Sequence, residues 1–106
     1  MSLQIRLNIP ATSANKVKIT ECIAFLQDAY RLGNYTLFWE CPISRKFVGI
    51  TIERLQRLPG EYYREPHPMT LQVISPEVAG LPHIVSPLTQ TQRDELLSAL
   101  QIELKK

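Results

Sequence analysis

Tyr35-Thr36-Leu37-Phe38-Trp39-Glu40-Cys41, then Pro42-Ile43-Ser44-Arg45-Lys46, then Phe47-Val48-Gly49-Ile50-Thr51-Ile52: the reading of this stretch decides the fold. Its first seven residues are rich in aromatic side chains and lie between Gly33-Asn34 and Pro42, the composition and punctuation of a strand. Pro42 to Lys46 makes a hairpin connection. Phe47 to Ile52 is β-branched and is predicted to pair back as an antiparallel neighbour. In the first strand Leu37, Trp39 and Cys41 share one face, with Thr36, Phe38 and Glu40 on the other. If one sheet face packs on helices, the other carries Phe38 or Trp39 toward solvent or a partner.

On the N-terminal side, Leu3, Ile5, Leu7 and Ile9 alternate with Ser2, Gln4, Arg6 and Asn8, which predicts a strand ended by Pro10. Ile19, Cys22, Ile23, Leu26, Ala29 and Tyr30 then recur at the spacing of one helix face. That helix is predicted to start from a cap at Ser13 or Asn15 and to run to about Leu32, with Gly33-Asn34 as its stop. Val17 and Ile19 alternate with lysines, so a short strand over Lys16 to Ile19 followed by a cap at Thr20 is the alternative start.

On the C-terminal side, Glu53 to Leu58 has lower strand propensity and suits a helical turn before Pro59-Gly60. Glu61 to Pro68 is irregular. Met69, Leu71 and Val73 alternate with Thr70, Gln72 and Ile74, a further strand that ends at Ser75-Pro76. Pro76 to Pro87, with three prolines and Gly80, reads as a stiff extended connector. Thr89 with Gln92 forms a capping-box pattern for a last helix built on Leu96, Leu97, Leu100 and Leu104. The order β-α-β-β-β-α predicts an α+β domain over residues 1–106: a small antiparallel sheet of about four strands with two helices on one face.

The chain has 106 residues, 44% hydrophobic and 21% charged, with a net charge of +2. That is the composition of a globular domain large enough for one core without disulfides. No apolar run approaches the roughly 20 residues of a membrane span, and no basic segment followed by an apolar stretch suggests a signal peptide. A cytoplasmic setting is the expectation. In that setting Cys22 and Cys41 are expected to be reduced and buried.

The strongest candidate surface is basic and aromatic. Arg45, Arg54, Arg57 and Arg64 accompany Tyr62 and Tyr63, and arginine with tyrosine is the composition of protein interfaces. The expected function is a small non-enzymatic interaction or assembly module whose partner is a protein, bound through these six residues. RNA or a single-stranded nucleic acid on the same surface is the alternative, because guanidinium groups pair with phosphates and rings stack on bases. Glu53, Glu61 and Glu65 dilute the charge there. A sheet-mediated homodimer is a further way to cover Phe38 or Trp39.

Chemistry has less to stand on. Glu65 and His67 are two apart and would point to one side of an extended chain, but no C-x-x-C or H-x-x-x-H spacing marks a metal site. Ser44 and Cys41 have basic neighbours without a sequence-local base. The four glycines are isolated, so no phosphate-cradling loop exists. No cofactor, metal or catalytic residue is assigned, and a small hydrolase using His67 and Glu65 ranks below binding.

Pro42-Ile43-Ser44-Arg45 with Arg54-Leu55-Gln56-Arg57-Leu58-Pro59-Gly60 resembles the Pro-Tyr-Ser-Arg, Gln-Arg-Ile and Gly-Gly pattern of the small phycobilisome linker domain. The resemblance covers under a fifth of the chain, needs an insertion, lacks a second glycine, having Pro59 there, and implies a helix over residues 47–52. Gly33-Asn34-Tyr35 is similar to a hairpin of small ribonuclease toxins of toxin–antitoxin pairs, a family with a longer helical hairpin before the sheet. Neither resemblance carries over a functional residue.

Overall fold

The computed structural model describes residues 5–28, 31–54, 69–73 and 84–106. Its elements are α1 (Ser13–Gln27), β1 (Gly33–Glu40), β2 (Phe47–Arg54), β3 (Met69–Val73), β4 (Ile84–Val85) and α2 (Gln90–Leu104). The four strands form one antiparallel sheet in the order β1-β2-β3-β4. The fold is α+β, as the periodicities require.

The hairpin is the spine of the sheet. Register places Leu37 opposite Ile50, Trp39 opposite Val48 and Phe38 opposite Gly49. The connection is closed by Cys41 N–H donating to the Lys46 carbonyl at 2.8 Å and by Arg45 N–H donating to the Cys41 carbonyl at 2.9 Å. Strand β2 runs through Glu53 and Arg54, where low propensity suggested a helical turn. Pairing with both β1 and β3 supplies what local preference lacks. It also makes residues 47–52 a strand rather than the helix that the linker-domain resemblance implies. Residues 55–58 of the suggested turn lie outside the described residues.

Alternation sorts the sheet into two faces. Leu37, Trp39, Val48, Ile50, Ile52, Met69, Leu71 and Val85 are buried on one, together with Arg54. These apolar residues join Ile19, Cys22, Phe25 and Leu26 of α1 and Leu96, Ala99 and Leu100 of α2 in a single hydrophobic core. Trp39 is thus the buried ring of its strand and Phe38 the exposed one.

Three local expectations are corrected. The segment over residues 5–10 keeps its predicted alternation, with Leu7 and Ile9 buried, but it is not a strand of the sheet: only Arg6 makes a bridge, and Asn8 turns to φ +55°. A left-handed residue interrupts the pleat that a ladder needs. The Ile9 N–H instead donates to a carboxylate oxygen of Glu103 on α2 at 2.9 Å. The cap of α1 is Thr12, whose hydroxyl accepts the Asn15 N–H, and the helix ends at Gln27 rather than near Leu32. Gly33, with φ +112°, opens β1 instead of closing the helix. Finally, the supposed connector after Pro76 contains β4, which pairs Val85 with Leu71 and Ile84 with Gln72. The Thr89–Gln92 capping box of α2 forms as predicted, each residue satisfying the other's main-chain N–H.

Candidate functional site

The six candidate residues divide. Arg57, Tyr62, Tyr63 and Arg64 lie outside the described residues, as do Glu65, His67 and His83. Arg45 is at the hairpin tip with its side chain 80% exposed. Arg54 does not belong to a contact surface: it is fully buried. Its position at the end of β2, on the inward face, points it under the C-terminal end of α1. There Nη1 and Nη2 donate to the Phe25 carbonyl at 3.3 Å, Nη1 also donates to the Arg31 carbonyl at 2.9 Å, and the guanidinium lies over the Phe25 ring. A cation at a helix C-terminus opposes the partial negative charge of the unpaired carbonyls. Burial holds the guanidinium below its ordinary pKa, and nearby Asp28 works in the other direction. Arg54 is a structural cap.

The site that remains is the β1–β2 hairpin end. Arg45 has φ +63°, a left-handed conformation that costs a non-glycine residue about 1 kcal/mol. Its Nε sits 3.4 Å from the Glu40 carboxylate, an exposed pair whose contribution is at most about 1 kcal/mol. Around it the chain exposes Ile43 (81%), Phe47 (75%) and Phe38 (47%). Phe38 and Phe47 are diagonal neighbours on the outward face, since Phe38 stands opposite Gly49 and Phe47 opposite Glu40. A groove of about 480 Å³ runs along this end, lined by Lys18, Phe38, Trp39, Glu40, Arg45 and Phe47 among others.

Sequence reading missed Ile43 and Phe47. Phe47 was legible from parity, because placing Val48, Ile50 and Ile52 inward leaves it outward. Ile43 carries no periodic signal, lying in the loop.

Other places offer less. A groove of about 680 Å³ separates residues 5–8 from α2. The buried Glu103 carboxylate on its wall is already engaged by the Ile9 N–H and by Lys106. Among the described residues no cluster of three His, Cys, Asp or Glu side chains is arranged to hold a metal. Cys22 and Cys41 are both buried and neither forms a disulfide; burial pushes the Cys22 thiol up to about 12. Ser44 accepts the Lys46 N–H within the loop. No helix among the described residues is long and apolar enough to cross a membrane.

No protein-family model matches this chain, and no curated protein or solved structure matches it either. The class stands on the fold: a four-stranded antiparallel α+β domain with an aromatic and cationic hairpin end.

Proposed function

We propose that the protein is a non-enzymatic binding module that docks another protein through the end of its β1–β2 hairpin. The observation that carries this reading is Arg45. An exposed arginine occupies a left-handed position that glycine would fill without strain, and its neighbours are Phe38, Ile43 and Phe47, three exposed large apolar side chains. Strain held at an exposed site points to a use for the side chain. Arginine and phenylalanine are enriched at protein interfaces, and aromatic anchors with an arginine commonly supply most of the affinity. A short hairpin loop tied by two main-chain hydrogen bonds loses little entropy on docking.

The test is affinity capture from host lysate with tagged wild type, Phe47→Ala and Arg45→Glu, each with and without nuclease. A protein retained by wild type after nuclease and lost by both variants, with unchanged melting temperatures, supports the reading. Partners that vanish with nuclease overturn it in favour of nucleic acid. Partners retained equally by all three proteins exclude this surface.

A further inference from the structure

We propose that the open edge of β1 takes an extended, acidic peptide segment of the partner, added to the sheet as a fifth strand. The proposal rests on the reading of the hairpin end as a docking surface and names the chemistry recognised there.

Three observations converge on this edge. First, among the described residues β1 has a strand neighbour on one side only. The Cys41 N–H donates to the Lys46 carbonyl, so antiparallel alternation turns the main-chain groups of Trp39, Leu37 and Tyr35 toward β2. Those of Glu40, Phe38 and Thr36 face the other edge, which no described strand covers, a row of donors and acceptors suited to another strand.

Second, a groove lies along the Phe38–Glu40 end of that edge. It is lined on the outward side by Phe38 and Phe47 and on the helix side by Thr12, Asn15 and Lys18. A strand laid there would alternate its side chains between the two sides, one set on the phenylalanines and the other toward the start of α1.

Third, the charged and polar groups favour an anion. Lys18 and Arg45 line the groove against one carboxylate, Glu40, which Arg45 already meets at 3.4 Å. The first turn of α1 contains no acidic residue, so its positive end is not offset locally. Glutamate or aspartate side chains on the incoming strand complement this set.

The experiment uses two short synthetic peptides, one alternating valine with glutamate and the other valine with lysine, titrated into the full chain. Amide hydrogen exchange is read residue by residue. The Phe38 and Glu40 amides are expected to exchange readily in the free protein and to slow on adding the acidic peptide. That peptide should bind at least about tenfold more tightly than the basic one. Phe38→Pro removes an edge N–H while sparing the β2 ladder, and it should abolish the slowing at Glu40; Phe38→Ala should weaken binding but keep the slowing at both amides. Should Phe38→Pro fail to fold, Thr36→Pro makes the same test.

Equal binding of both peptides, or no slowing at Phe38 and Glu40, overturns the proposal. So does slowing that appears without peptide and grows with protein concentration, which would place a second copy on the edge. A single-stranded RNA oligonucleotide that slows the same amides also overturns it. If both peptides fail while Phe47→Ala still loses the captured protein, the binding-module reading stands and strand addition alone is refuted.

Discussion

The guanidinium of Arg54 lies over the ring of Phe25, 5.1 Å from its centroid, and donates two hydrogen bonds to the main-chain carbonyl of the same residue. One side chain at the end of β2 therefore holds both the ring and the backbone at the end of α1. Arg31 adds its own cation over the same ring at 5.6 Å.

Removing that anchor should unfold the domain more readily without touching the docking surface. Arg54→Met leaves the Phe25 and Arg31 carbonyls without their buried donor, and we expect a loss of about 2–4 kcal/mol. Arg54→Lys should recover little, because an ammonium lacks the planar fork that reaches two carbonyls and stacks on a ring. Urea denaturation reads both. Unchanged stability together with lost partner capture would return Arg54 to the binding surface.

Arg45 should behave in the opposite way. Arg45→Gly relieves the left-handed backbone while Arg45→Ala keeps it, and both lose the weak Glu40 pair, so the glycine variant is expected to be the more stable of the two by about 1 kcal/mol. Partner capture should fall at the same time. A glycine variant that outlasts the alanine variant yet binds as poorly would separate function from folding at one residue. If the alanine variant equals or exceeds the glycine variant in stability, the assignment of strain at the tip is wrong.

Alkaline pH should destabilise the fold in two stages. Burial lifts the Cys22 thiol from 9.0 to about 12. Burial, aided by Glu21, lifts the Tyr35 hydroxyl from 10.0 to about 12, and that hydroxyl donates to the Lys18 carbonyl at 2.8 Å. Both folded-state values exceed the unfolded ones, so above pH 9 the unfolded chain binds fewer protons than the native one and stability falls as pH rises. Below that pH the two groups leave stability unchanged. Denaturation midpoints of wild type and Cys22→Ala should run parallel up to pH 9 and then diverge, wild type falling faster. Parallel curves throughout would show that the thiol titrates normally.

Glu103 ties the N-terminal segment to α2. Its carboxylate accepts the Ile9 N–H at 2.9 Å while nearly fully buried. Glu103→Leu leaves that N–H without its acceptor and should cost about 1–3 kcal/mol. Glu103→Gln keeps an acceptor oxygen and should lose less, chiefly the Lys106 ion pair. Exchange of the Ile9 amide should quicken sharply in the leucine variant alone. Equal protection in all three proteins would mean that packing of Leu7 and Ile9 suffices to hold the segment.

Much of the framework is written in local patterns. The hairpin from β1 to β2 follows from two runs of strand formers around Pro42–Lys46. The Thr89–Gln92 box marks the start of α2, and Ile19, Cys22 and Leu26 mark the buried side of α1. Each signal lies within a few residues, where capping, turn chemistry and side-chain alternation act. The class of fold follows from adding them.

What needed the tertiary structure is whatever depends on partners distant in sequence. Alternation at Leu7 and Ile9 shows which side is buried, but not that Glu103, 94 residues beyond Ile9, rather than a neighbouring strand takes the Ile9 N–H. Ile84-Val85 is too short to read as a strand until Leu71 and Gln72 pair with it. Arg54 and Arg45 look alike on the page, and only the position of α1 over the end of β2 makes one a buried cap and leaves the other exposed. A charge is a surface residue or a structural one according to what is packed against it, and that is a property of the assembled fold.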